Sequence, residues 1–148
     1  MQLNINDFEE PTMKLEYTRY GTNTQPTISW DNAPPHAVEL VLLCYDPDAK
    51  PLCGKTWLHW FVYGIDPTTK TLVDTKYTVG LNDFKNTVYD GPQPPNDVPH
   101  NYHFTLYTLN KKTSFEMGKK LGFEKIYDTI KDSVIDTVEI VKAFTKPN

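Results

Sequence analysis

The sequence predicts a mostly β fold that ends in helices, and two patterns along the chain support this class. Eleven of the 12 prolines lie in the first 99 residues, and none lies between residues 100 and 146. Because proline is excluded from helix interiors and central strands, the first two-thirds should be short strands joined by loops. Apolar residues in the proline-free tail recur at three- and four-residue steps, which is the spacing of a helix.

The clearest strand signals are three apolar runs, Val38–Tyr45, Trp57–Tyr63 and Asn101–Leu109. The first run is apolar on both faces, so it should be a central strand that is buried on both sides. The third is rich in aromatic and β-branched residues, which strands favour. Shorter runs at Thr27–Trp30 and Leu72–Thr78 are weaker strand candidates.

The second run contains a single polar side chain, His59. Strict alternation along a strand places this histidine on the same face as Trp57 and Phe61. A lone histidine among aromatic residues usually only bonds a neighbour inside the core. Its position in the run therefore does not establish a function.

The tail should form two helices, near residues 115–131 and 133–145. The apolar residues that share one helical face are Phe123, Ile126, Tyr127, Ile130, Val134, Val138, Val141 and Phe144. Ser133 should cap the second helix, because an acidic residue, Asp136, follows three positions later. We expect the apolar face of both helices to cover a sheet.

Length and composition fit one soluble globular domain spanning residues 1–148, with 39% hydrophobic and 23% charged residues. A chain of this size buries roughly 70% of its unfolded surface, so it needs no metal or disulfide to fold. Every apolar run is far shorter than the roughly 20 residues that span a bilayer, so no integral membrane association is expected. An acidic N-terminus without signal-peptide features and two scattered cysteines, Cys44 and Cys53, predict a reducing, cytoplasmic location.

The charge balance argues against a nucleic-acid partner. Fifteen basic and 19 acidic residues give a net charge of −4, and Arg19 is the single arginine. A surface that follows phosphates along a nucleic acid needs clustered basic residues, whereas the lysines here are scattered. Any small anion must therefore be held by a few local donors and not by the field of the whole protein.

The sequence Asp46-Pro47-Asp48 follows the predicted central strand and has two interpretations. Its carboxylates either cap their own backbone in an Asp-Pro turn or contribute to a site at the strand end. Further along, His100 and Tyr102 are two residues apart on the third predicted strand, so both side chains should project from one face.

The loop before His100 is stiff, because five of its positions are glycine or proline: Gly91, Pro92, Pro94, Pro95 and Pro99. A loop that is rigid before a ligand arrives lowers the entropic cost of binding. At Gly91 the missing side chain would permit a close approach of the backbone to a ligand.

These segments together resemble the phosphatidylethanolamine-binding protein family, which includes the Raf kinase inhibitor proteins, and in particular its short microbial branch. The motifs that carry the resemblance are DPDA at Asp46–Ala49, WLHW at Trp57–Trp60, GLNDF at Gly80–Phe84, YDGPQPP at Tyr89–Pro95 and HNYHF at His100–Phe104. The resemblance implies an antiparallel β-sandwich-like fold with a large central Greek-key sheet, a smaller second sheet and C-terminal helices.

The resemblance also implies a small anion-binding pocket and no cofactor. Its residues here would be Asp46, Asp48, His59, Gly91, Pro92, His100 and Tyr102. In a cleft lined by Trp57, Trp60 and prolines, the two imidazoles and the phenol would donate hydrogen bonds to a phosphate or carboxylate. Asp46 would accept from the second nitrogen of a histidine, and Asp48 would contact an ammonium group of the guest.

Three functions stay open at this point. The first is a non-enzymatic protein, monomeric or homodimeric, that binds a small anion or phosphorylated head group and modulates a partner such as a kinase. The second is a hydrolase or metal enzyme that uses Asp46, Asp48, His59 and His100, although the sequence lacks H-E-x-x-H and G-x-S-x-G motifs. The third is an inhibitor of a kinase or protease that acts through its surface.

Overall fold

Seven strands and two short helices form the regular structure in a computed structural model that describes residues 1–148. The strands are β1 (Leu3–Ile5), β2 (Ile28–Trp30), β3 (Glu39–Asp46), β4 (Trp57–Ile65), β5 (Thr78–Val79), β6 (His100–Leu109) and β7 (Val134–Phe144). The helices are α1 (Lys50–Cys53) and α2 (Phe123–Ile130). Single 3-10 turns cover Leu15–Tyr17, Pro47–Ala49, Leu72–Asp74 and Lys131–Ser133.

The strands form a large and a small antiparallel sheet, which confirms the predicted mostly β class. Five strands make the large sheet in the order β5-β4-β3-β6-β7, and β1 pairs with β2 in the small one. All pairings in the large sheet are antiparallel. None of the helices combines the length and the apolar character that crossing a bilayer requires.

Strand β3 is the centre of the large sheet, as its two apolar faces predict. Every side chain from Leu40 to Cys44 is 0% exposed. Leu40, Leu42 and Cys44 pack in the core cluster that includes residues of β1 and β2, whereas Val41 and Leu43 pack against Ile126 and Ile130 of α2. Burial of each of these leucines contributes roughly 1.5–3 kcal/mol to folding. The sheet is therefore covered on one side by the small sheet and on the other by α2.

The second predicted helix, at residues 133–145, is wrong: this segment is β7, which pairs with β6 from Leu109↔Val134 to His100↔Phe144. The apolar residues at positions 134, 138 and 141 fit the spacing of a helix, but six of the strand's residues are valine, isoleucine or threonine. Such β-branched residues favour strands, and pairing with β6 decides the outcome. Side chains along β7 accordingly alternate between half-buried and exposed up to Val141.

The first predicted helix is shorter than expected. Only Phe123–Ile130 is α-helical, and it starts after Gly122, whose φ of 82° is a left-handed conformation that glycine adopts without strain. Ser133 ends a 3-10 turn, so its predicted capping role is also wrong. Among the weaker strand candidates, Thr27–Trp30 corresponds to β2, whereas Leu72–Thr78 begins with the 3-10 turn at Leu72–Asp74 and reaches β5 only at Thr78.

Candidate functional site

A cavity of about 290 Å³ opens at one edge of the large sheet, where β3 ends and β4 and β6 begin. These three strands are antiparallel neighbours, so the end of one and the starts of the other two meet at the same edge. The lining residues are Asp46, Ala49, Leu52, Cys53, Trp57, His59, Phe84, Gln93, Pro94, Pro95, His100 and Tyr102. Four of the seven predicted site residues are among them: Asp46, His59, His100 and Tyr102.

Asp46, the last residue of β3, has both of its predicted roles. One carboxylate oxygen accepts a hydrogen bond from the backbone N–H of Asp48 at 2.8 Å and so caps the 3-10 turn at Pro47–Ala49. The other accepts from Nδ1 of His100 at 2.6 Å. Asp46 and His100 are each only 3% exposed. This buried pair fixes the orientation of the His100 ring, and it places a negative charge behind that ring.

His59 reaches the cavity because β4 contains a β-bulge at this position. Cys44 pairs with Trp60, but the next residue, Tyr45, pairs with Leu58, so His59 is the extra residue. Leu58 and Phe61 therefore pack in the same core cluster, on the face turned to α2. The prediction that His59 and Phe61 share a face is wrong, because strict alternation does not hold across a bulge.

The protonation of His59 is set by its neighbours. Its Nδ1 lies 2.8 Å from the backbone carbonyl oxygen of Asp90, and since a carbonyl only accepts, Nδ1 donates. Burial lowers the pKa of His59, and the carbonyls of Asp90 and Gly91 and the charges of Asp46 and Asp83 oppose this effect in part. The neutral imidazole with its proton on Nδ1 is thus the favoured form.

Tyr102 lies at the base of the cavity with its hydroxyl unpaired. The side chain is 0% exposed, and its oxygen, although buried, has no hydrogen-bond partner. The ring packs edge-on against His59, with centroids 5.3 Å apart, and is nearly parallel to His100 at 6.4 Å. Burial, reinforced by the nearby Asp46 carboxylate, raises the pKa of Tyr102. The phenol therefore keeps its proton and is available as a donor.

The other three predicted site residues, Asp48, Gly91 and Pro92, lie outside the lining of the cavity. The Asp48 carboxylate accepts from the backbone N–H of Asn101 at 2.8 Å and so ties the turn after β3 to β6. At Gly91, a Cβ atom would lie 2.0 Å from the carbonyl oxygen of Tyr17. The close backbone contact that glycine permits at this position is therefore with another segment of the same chain, at Tyr17. In this structure both residues support the wall of the cavity.

The wall contains residues that the sequence reasoning did not select, notably Leu52, Cys53, Phe84 and Gln93. Phe84 and Gln93 stand in recognised motifs, which is a signal that they belong near the site, whereas nothing in the sequence places Leu52 and Cys53 of α1 at the cavity. Trp60, which was expected in the cleft, instead packs in the core, with its ring edge-on to Tyr89 at 5.3 Å.

The N-terminal segment holds the proline-rich loop in place through hydrogen bonds to its backbone carbonyls. The backbone N–H of Arg19 donates to the Pro92 carbonyl at 2.9 Å, and the Tyr20 hydroxyl donates to the Pro94 carbonyl at 2.6 Å. Arg19 also places its guanidinium 4.1 Å from the centre of the Phe84 ring. These contacts hold Pro94, Pro95 and Phe84 as a rigid apolar wall.

The lowered pKa of His59 makes a prediction about stability. The usual pKa of a histidine side chain is about 6.5. Below this pH, His59 binds a proton more readily in the unfolded chain than in the folded chain. The contribution of His59 to the free energy of unfolding should therefore fall as the pH is lowered through this region, by up to about 1.4 kcal/mol per pH unit, and be constant at neutral pH. Urea unfolding at a series of pH values in a phosphate-free buffer measures the slope.

Two variants isolate the contribution of His59 to this slope. His59→Asn should reduce the slope, whereas His36→Asn, at an exposed loop histidine, should leave it as in the wild type. Equal slopes in the wild type and in His59→Asn would show that His59 is not the group responsible.

Comparisons with known proteins agree with this description. The family model for phosphatidylethanolamine-binding protein matches residues 5–145. A UPF0098 protein of Methanothermobacter thermautotrophicus is 31% identical over 139 residues, which cover 88% of each chain. A solved structure from Chlamydia trachomatis, described as a phosphatidylethanolamine-binding protein homologue, CT736, superposes with a TM-score of 0.85 at 28% identity and covers 99% of this chain and 97% of its own. Escherichia coli YbcL has the same fold, with a TM-score of 0.88 at 24% identity and coverage of 99% and 98%.

Proposed function

The chain belongs to the phosphatidylethanolamine-binding protein family, and we propose that it is a non-enzymatic binding protein whose cavity holds a small anion or a phosphorylated head group. The observation that carries this proposal is the buried, unpaired hydroxyl of Tyr102, whose ring packs against the rings of both His59 and His100. An unpaired buried hydroxyl costs about 1–3 kcal/mol, so a guest that accepts from it recovers this cost on binding.

Two features of the cavity suit a small anion. The Asp46 carboxylate accepts from Nδ1 of His100 and fixes that ring, so Nε2 is the ring atom that meets a guest. Apolar side chains, chiefly Trp57, Phe84 and the two prolines of the wall, keep the local dielectric low. Hydrogen bonds to a charged guest are stronger in such surroundings than in water.

The size of the cavity favours a head group or a small free anion. Its volume of about 290 Å³ is at the lower end of the range of small-molecule sites, which starts at roughly 300 Å³. We therefore propose phosphate and phosphorylethanolamine as guests of suitable size and chemistry.

The residues around the cavity support binding better than hydrolysis. No serine or threonine lines it, and the one thiol there, Cys53, donates to the carbonyl of Ala49 at 3.1 Å. No three histidine, cysteine, aspartate or glutamate side chains are grouped closely enough to hold a metal ion. A metal enzyme built on His59 and His100 thus lacks a donor set of the usual kind.

Titration of the wild-type protein with phosphate and with phosphorylethanolamine, followed by NMR of the histidine and tyrosine side chains, tests the proposal. We expect saturable binding at one site, with shifts at His59, His100 and Tyr102 but not at His36. Shifts confined to other residues, or the absence of saturation, would contradict it. Release of inorganic phosphate from phosphorylethanolamine during the titration would instead favour a hydrolase. Modulation of a kinase or protease and a cytoplasmic location stay predictions.

A further inference from the structure

The two histidines of the cavity differ in what their Nδ1 atoms contact. His100 donates to the carboxylate of Asp46, whereas His59 donates to the uncharged backbone carbonyl of Asp90. In both rings the second nitrogen, Nε2, has no partner within the protein, and neither Nε2 atom is among the buried unpaired atoms. Both Nε2 atoms are therefore open to the cavity that the two rings line.

The side-chain carboxylates of Asp90 and Asp83 are both paired with other groups, so neither is free to form an ion pair with a doubly protonated His59. Asp90 accepts through its side chain from the amides of Asn23, Asn82 and Asn86, at 3.1, 2.8 and 2.9 Å. Asp83 is occupied by the Lys55 ammonium at 2.8 Å and by a backbone N–H at 2.7 Å.

Two further groups face His59 across the cavity. Tyr102 is uncharged, and the other ionisable groups that line the cavity are His100 with its partner Asp46 and the Cys53 thiol. With its proton on Nδ1 and no carboxylate hydrogen-bonded to its ring, His59 presents the lone pair of Nε2 to the guest.

We propose that His59 accepts a hydrogen bond from the bound anion, so that the site selects singly protonated phosphate esters over anions without an acidic hydroxyl. This inference rests on the proposed function. One ionised oxygen of the guest accepts from the Nε2–H of a charged His100 and from the Tyr102 hydroxyl. The acidic hydroxyl of the same guest donates to Nε2 of His59. The His100 imidazolium then lies between two negative groups, the guest at its Nε2 and the Asp46 carboxylate at its Nδ1.

Methyl phosphate and methyl sulfate test this selectivity, because they have nearly the same shape. At about pH 5.5 both are mainly singly charged, and only methyl phosphate carries an acidic hydroxyl, since the second ionisation of such esters lies near pH 6. We expect calorimetry on the wild-type protein to give an affinity for methyl phosphate at least about tenfold higher than for methyl sulfate.

The variant His59→Asn sharpens the test. An asparagine amide can still donate to the Asp90 carbonyl, but it removes the acceptor at Nε2. In this variant the preference for methyl phosphate should shrink to about twofold or less, because its affinity for methyl phosphate falls by more than its affinity for methyl sulfate. His103→Ala, on the opposite face of β6, should keep the full preference.

The outcomes separate the two proposals. If methyl sulfate binds the wild type as tightly as methyl phosphate, the acceptor role of His59 is wrong, although the anion site stands. The acceptor role is also wrong if His59→Asn weakens both anions equally, because His59 then donates. If neither anion binds the wild type, the proposed function itself fails. If His59→Asn does not fold, the imidazole ¹⁵N chemical shifts of the wild-type protein bound to methyl phosphate test the acceptor role instead. A proton on Nε2 of His59 in that complex would show that His59 donates, and would overturn the inference.

Discussion

Replacing His59 and His100 together by alanine lowers the affinity for inorganic phosphate at least about a hundredfold. Each imidazole contributes a hydrogen bond to a charged guest, and such bonds contribute roughly 1.5–3 kcal/mol apiece. When both are lost, the Tyr102 hydroxyl is the only hydrogen-bond donor proposed for the guest that remains. Isothermal titration calorimetry in a buffer of about pH 6, close to the second ionisation of phosphates, measures the change.

His103→Ala is the matched control for this double variant. His103 lies on the same strand as His100 but faces away from the cavity, where its ring stacks on Tyr45 with centroids 5.2 Å apart. Its loss should leave the phosphate affinity unchanged. A double variant that binds phosphate as the wild type does would show that the anion site lies elsewhere.

The second large effect is expected at Asp46. Asp46→Ala removes the acceptor of a buried histidine N–H and the cap of a 3-10 turn in one change. Leaving a buried donor without its partner costs about 1–3 kcal/mol, and the loss of a cap adds about 1 kcal/mol. The free energy of unfolding in urea should fall by about this sum, and the variant should also bind phosphate weakly because its His100 is no longer oriented.

Asp48→Ala provides the comparison for Asp46→Ala. Asp48 is exposed and accepts a single hydrogen bond, from the backbone N–H of Asn101, so its loss should cost only about 1 kcal/mol. Equal costs for the two variants would mean that the pair between Asp46 and His100 adds nothing to stability.

The sequence predicts the centre of this fold well because only one arrangement buries all of the apolar residues there. The run Val38–Tyr45 is apolar on both faces, and only a central strand with cover on both sides buries all of it. The tail is less determined. Its apolar residues fit a helix as well as a strand, and only the pairing of β7 with β6 decides between the two. A helix prediction from spacing alone cannot include that pairing.

The candidate site, too, is predicted from the sequence only in part. Motif spacing identifies Asp46, His59, His100 and Tyr102, and antiparallel pairing brings them to one edge of the sheet. The bulge that turns His59 to the cavity is a feature of strand register, which sequence alternation does not reveal. Gly91 shows the same limit: the sequence indicates that a close approach occurs there, but only the fold shows that its partner is Tyr17.

A crystal structure of the protein grown with phosphorylethanolamine would show where the anion binds. We expect the phosphoryl group inside the cavity, with its oxygens within hydrogen-bonding distance, about 2.5–3.2 Å, of Nε2 of His59, Nε2 of His100 and the Tyr102 hydroxyl. A phosphoryl group bound elsewhere on the protein, with the hydroxyl of Tyr102 still unpaired, would contradict this expectation.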